Sequence, residues 1–159
     1  MSDIVFDNQV LRLTPKFYTD YPQSECPEML DKSDRPYNCL LIQTHYDYFI
    51  CVPYRSEMQH NYGYKFRNSI RSRHHSSGLD YTKIIIVSNN EYIDTTTALV
   101  DNDEYIETMQ NLPKIVREAQ AFVDDYIAHC KEEVVLHPSE FRRRYSFSTL
   151  KYFHKELQI

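Results

Sequence analysis

Residues 37–56 read YNCLLIQTHYDYFICVPYRS, and this stretch decides the fold class. Two apolar, aromatic and β-branched runs, Tyr37 to Thr44 and Tyr48 to Tyr54, flank His45-Tyr46-Asp47, a spacing that predicts a β-hairpin with a short connection. Pro53 has no amide to give a ladder, so it belongs at a strand end or edge, and Arg55 and Ser56 fall where the chain leaves the sheet. Upstream, Gln9 to Leu13 reads as a short strand. Asp20 to Pro36, with three prolines, seven charged residues and no hydrophobic period, reads as a long loop. Downstream, Arg55 to Gly78 is polar, basic and serine-rich, a long loop or a loop holding a short helix. Tyr81 to Val87 fits a buried strand, and Ser88-Asn89-Asn90 a turn before Tyr92-Ile93.

Beyond Asp101 the period becomes helical. Asn102 or Asp103 can cap a helix through Asn111, and Pro113 opens a second one reaching about Glu133. In it, Ile115, Ala119, Phe122, Tyr126 and Cys130, with Val116, Val123 and Ile127, form one apolar stripe opposite Arg117, Glu118, Asp124, Asp125 and Lys131. Pro138-Ser139-Glu140 starts a further helical segment, and Ser148 can cap a last helix whose Leu150, Phe153 and Leu157 share a face. Strands first and helices later imply an α+β domain over 1–159, a largely antiparallel, barrel-like sheet with flanking carboxy-terminal helices.

Composition narrows the function. Two glycines in 159 residues argue against glycine-rich phosphate loops, so dinucleotide and P-loop chemistry are excluded. The longest aliphatic run is Ile84 to Val87 and the start lacks a basic n-region, so neither a membrane span nor a signal peptide fits, and a cytoplasmic protein with free thiols is expected. Cys26, Cys39, Cys51 and Cys130 are far apart, and His74-His75 and His129-Cys130 are adjacent pairs that seldom reach one ion, so no metal or other cofactor is expected. Net charge is -5, yet residues 54–75 carry five Lys/Arg against Glu57 alone, and residues 134–159 five against two acids. Screening confines each charge to about 8 Å, so these segments can attract phosphate locally.

The hairpin and its exit carry a resemblance. Arg35-Pro36-Tyr37, an apolar strand, then Tyr48-Phe49-Ile50-Cys51-Val52-Pro53-Tyr54-Arg55-Ser56 is similar to the layout of the ToxN/AbiQ endoribonuclease toxins of bacterial type III toxin-antitoxin pairs. Ser77 to Lys83 before Ile84, and Phe147-Ser148-Thr149-Leu150, resemble that family's later segments. The resemblance implies cleavage of messenger RNA without metal, and inhibition by a structured repeat antitoxin RNA within a closed protein-RNA hetero-oligomer. It also matches Ser56 to the family's catalytic serine and places Arg35 where a lysine is usual. Arg55 stands in place of a threonine, and Met58 in place of the catalytic lysine. Metal-free cleavage needs proton transfer and donors for the developing charge. His60 is the nearest candidate for the first, Arg55 and Ser56 hold the phosphate, and Arg35 and Tyr18 assist. Lys65, Arg67, Arg71, Arg73, His74 and His75, with Tyr62 and Tyr64, suit RNA contact by charge and stacking. Arg142, Arg143, Arg144, Lys151 and Tyr152 suit a second wall of the same groove. Each residue also has a plainer reading, as a solvated loop, a salt-bridge partner or a core histidine. A non-catalytic RNA-binding protein would use the same basic loop and tyrosines, and an acidic helix docking a basic protein is a third possibility.

Overall fold

The computed structural model describes residues 9–29, 38–96 and 98–159. The hairpin is its centre. β2 (Asn38–Gln43) and β3 (Phe49–Arg55) pair antiparallel from Cys39↔Pro53 to Gln43↔Phe49. Successive strand residues point to opposite faces, so the unbroken burial of Cys39 to Ile42 and Ile50 to Tyr54 means that both faces are covered. β1 (Val10–Leu13) lies along β2, and β7 (Ile93–Asp94) along β1. The other edge of β3 is shared: β6 (Ile85–Val87) pairs with its first half and β5 (Gly78–Asp80) with its exit, while β4 (Gly63–Lys65) pairs with β5. Every pairing is antiparallel, and among the described residues no bond closes β4 onto β7, so the expected sheet is present but open.

The helices are α1 (Pro15–Asp20), α2 (Ile70–His74), α3 (Asn102–Gln110), α4 (Leu112–Cys130), α5 (Pro138–Tyr145) and α6 (His154–Leu157). The α4 stripe is core as expected, with Ile115, Ala119, Phe122, Val123 and Tyr126 buried. Ser148 caps a 3-10 turn at Leu150 rather than an α-helix, and Leu150 and Phe153 are fully buried there. α1 was not expected. Pro15 at its first turn and the buried Phe17, stacked on Tyr21 at 5.0 Å, account for it.

The strand expected over Tyr81 to Val87 is shorter. The Asp80 carboxylate accepts the Thr82 amide at 2.9 Å and turns Tyr81–Lys83 into a 3-10 helix, leaving only Ile85–Val87 to pair. Arg35, Pro36 and Tyr37 lie outside the described residues.

Candidate functional site

The site is built where β3 ends. β5 pairs there, Tyr54 with Leu79 and Arg55 with Gly78, and sets Asp80 beside the exit of β3. The Asp80 side chain is 0% exposed, and its two oxygens take four bonds. Arg55 Nη1 donates at 2.7 Å, His60 Nε2 at 3.1 Å, Thr82 Oγ1 at 2.6 Å and the Thr82 amide at 2.9 Å. Burial pushes the carboxyl upward, but the bonds from His60, Thr82 and Arg55 outweigh it and hold Asp80 below the usual carboxylate range. Arg55 and His60 are only partly covered, at 28% and 31% exposure, so a sealed anion holds two nitrogen-rich side chains at the surface.

Both His60 nitrogens are engaged. Nε2 meets Asp80, and Nδ1 accepts the Tyr62 amide at 3.0 Å. The tautomer with its proton on Nε2 satisfies both bonds, and any proton taken up at Nδ1 must displace the Tyr62 N–H. Arg55 spends one donor on Asp80 and keeps the rest of its fork. Ser56 is exposed beside Arg55, and its hydroxyl makes no hydrogen bond among the described residues. Arg55 and His60 thus converge, on a carboxylate, while Ser56 stands outside that network.

Met58, which the resemblance sets in place of a lysine, is fully buried. The two glycines explain its place. A Cβ on Gly63 would meet the Leu79 carbonyl oxygen at 2.3 Å and Met58 at 3.0 Å, and one on Gly78 would meet the Tyr64 oxygen at 2.3 Å and Met58 at 2.9 Å. The thioether fills the space that these missing side chains leave under β4 and β5.

Lys83 is a neighbour that sequence reasoning missed. Its ammonium donates to the carbonyls of Glu28 at 2.9 Å and Phe147 at 2.8 Å, tying two distant segments together. Burial lowers its pKa, Asp80 opposes that shift and Arg55 adds to it. Tyr18 lines a small apolar pocket with Lys83, Pro53 and Met29. Asp80 and Thr82 were missed as well. Their Asp-x-Thr spacing is an ordinary turn signal and gave no local hint of which side chains it would gather.

The basic loop is partly corrected. α3 presents two buried carboxylates to it. Glu104 accepts from Arg71 Nη2 at 2.7 Å, Ser69 Oγ at 2.9 Å and Ser77 Oγ at 2.8 Å. Glu107 accepts from Tyr64 OH at 2.8 Å and from the amides of Arg67 and Asn68 at 3.0 Å. Arg71 therefore closes its fork on protein, and the buried Tyr64 ring offers no stacking face. Arg67, Arg73 and His74 remain exposed, Lys65 is half-buried, and His75 is bonded through Nδ1 to Glu57.

Of the five residues expected to form a second wall, four are bonded to carboxylates. Arg143 is paired with Glu140 and has Tyr62 as a weaker electrostatic neighbour, and Tyr62 stacks beside His60 with centroids 6.1 Å apart. Arg142 is exposed. Arg144 is held by Asp125 at 2.9 Å over the Tyr145 ring, and Lys151 and Tyr152 are both spent on Glu28, whose carboxyl they hold low. Among the described residues no group of three or more His, Cys, Asp or Glu could hold a metal ion, and no helix is long and apolar enough to cross a membrane. Comparison with protein-family models, with curated proteins and with solved structures gives no match for this chain.

Proposed function

We propose that this chain is a metal-independent endoribonuclease of the ToxN/AbiQ kind, the toxin of a type III pair, acting in the cytoplasm and restrained by a structured repeat antitoxin RNA. The observation that carries the reading is the Arg55-Asp80-His60 arrangement: a guanidinium and an imidazole, both half-exposed and both fixed from beneath by one buried carboxylate. In the reaction, the ribose O2′ attacks its own phosphorus, the O2′–P bond forms and the P–O5′ bond breaks. The proton leaves O2′ and another reaches O5′. The free donors of Arg55 and the Ser56 hydroxyl suit the non-bridging oxygens. His60 exchanges the proton through Nδ1 once that atom leaves the Tyr62 amide. The product carries a 2′,3′-cyclic phosphate.

The test is incubation of pure protein with RNA in EDTA, followed by analysis of the new ends. Cleavage with cyclic phosphate termini is expected. Intact RNA, at protein concentrations that visibly bind it, replaces the enzyme with a non-catalytic RNA-binding protein. One observation favours that second reading: both ring nitrogens of His60 are occupied in the free protein. An intact His60→Ala protein that still cut at the normal rate would remove the imidazole from the chemistry.

A further inference from the structure

Beside β4, on the side away from Arg55, an open cleft of about 180 Å³ is lined by Asn61, Lys65, Arg67, Lys114 and Glu118. Lys114 stands on the first turn of α4, 47 positions beyond Arg67 and 49 beyond Lys65, and no sequence pattern joins the three. None of the three cations forms an ion pair among the described residues, unlike Arg55, Arg71, Arg143, Arg144 and Lys151. The opposing charge on the wall is one carboxylate. Glu118 lies on the wall with one oxygen accepting the Tyr81 hydroxyl at 2.9 Å, and Glu107 is sealed behind Tyr64. The Lys114 ammonium sits 5.9 Å over the Tyr64 ring, which holds it at the cleft without neutralising it.

We infer that Lys65, Arg67 and Lys114 form a phosphate subsite for single-stranded RNA, one that receives the backbone after it has passed Arg55 and His60. The inference rests on the RNA reading above and names where the strand goes. Continuity supports it: Gly63, which lines the cleft, is the register partner of Asp80, and only Asn61 and Tyr62 separate it from His60. Tyr62, half-buried and stacked beside His60, comes just before Gly63 in the chain, and a base can stack there.

The experiment measures binding of full-length protein to a labelled 2′-O-methyl RNA dodecamer, which lacks the nucleophile and cannot be cut, over a range of salt. Lys65→Gln, Arg67→Gln and Lys114→Gln are each expected to weaken binding several-fold. Each should also flatten the dependence of log Kd on log salt by about 0.7, the increment for one phosphate contact on a single strand. Lys114→Arg is expected to bind as the parent does, and thermal melts verify that every variant is folded. Three results overturn the subsite. If the folded triple variant keeps the parent's affinity and slope, the cleft is not on the RNA path, although the RNA reading survives. If an oligoglutamate of equal charge displaces the RNA at equal concentration, the cleft takes acidic peptides. If the parent protein itself binds no RNA, the subsite and the proposed function fall together.

Discussion

A carboxylate without exposed surface keeps its charge only when the bonds it accepts outweigh the loss of water, and Asp80 meets that condition with four donors from three residues. Asp80→Asn puts an amide nitrogen against at least one of those donors and is expected to cost about 1–3 kcal/mol, the range for a buried polar group left unsatisfied. The sign with pH follows from the lowered pKa. Asp80 contributes stability above its unfolded value near 3.8 that is lost as pH falls through its lower folded value. Urea melts between pH 7 and pH 3 should show the variant weaker at neutral pH, with a shallower acid decline. Equal stability at pH 7 would remove Asp80 from the architecture of the site. Met58 makes a second residue-scale test. Met58→Lys drives an ammonium into the apolar space below Gly63 and Gly78, so a loss of roughly 2–5 kcal/mol is expected. A stable variant would show that this position opens to solvent.

At the scale of elements, α3 acts as a clamp. Through Glu104 and Glu107 it holds the segment from Tyr64 to Ser77, which has few long-range backbone bonds of its own beyond β4 and the short α2. Glu104→Ala leaves Arg71, Ser69 and Ser77 without their shared acceptor. Hydrogen exchange should then accelerate in residues 66–77 while the amides of β2 and β3 stay protected, and protection unchanged in 66–77 would mean that the loop holds itself. The same clamp shows why a run without acidic residues from Met58 to Leu79 does not present all its cations to a ligand. The neutralising carboxylates arrive from another element.

The whole molecule carries 14 tyrosines, and many bury their rings with the hydroxyl kept protonated. Burial raises Tyr48, Tyr54 and Tyr64 to about 12, and Tyr21, Tyr81, Tyr126 and Tyr145 are raised further. A folded pKa above the unfolded value of 10 gives stability that is complete below pH 10 and lost as pH climbs toward the folded value. The melting temperature should therefore hold between pH 7 and pH 9 and fall steeply from pH 10 to 12, with the tyrosinate absorbance of these seven rings appearing together with unfolding. Ionisation of all 14 tyrosines near pH 10 in a protein still folded would contradict the buried placement of these seven rings.

The α+β class, the central hairpin and the α4 stripe were legible in the chain because each depends on residues a few positions apart: alternating or β-branched runs, a three-residue connection, an apolar period of helical spacing. The exit of β3 was legible only in part: Arg55 does end the strand, but Pro53 lies inside it, paired with Cys39 and falling between the β6 and β5 pairings, where the other edge needs no amide from it. The arrangement at that exit was not legible. Asp80 reaches Arg55 and His60 across 25 and 20 positions, Glu104 reaches Arg71 across 33, and Lys114 approaches Lys65 only because α4 packs beside β4. Local sequence determines which segments can hide an apolar face. Which cation is neutralised and which stays free is decided by packing, because an ion pair depends on distance in space and is indifferent to distance along the chain.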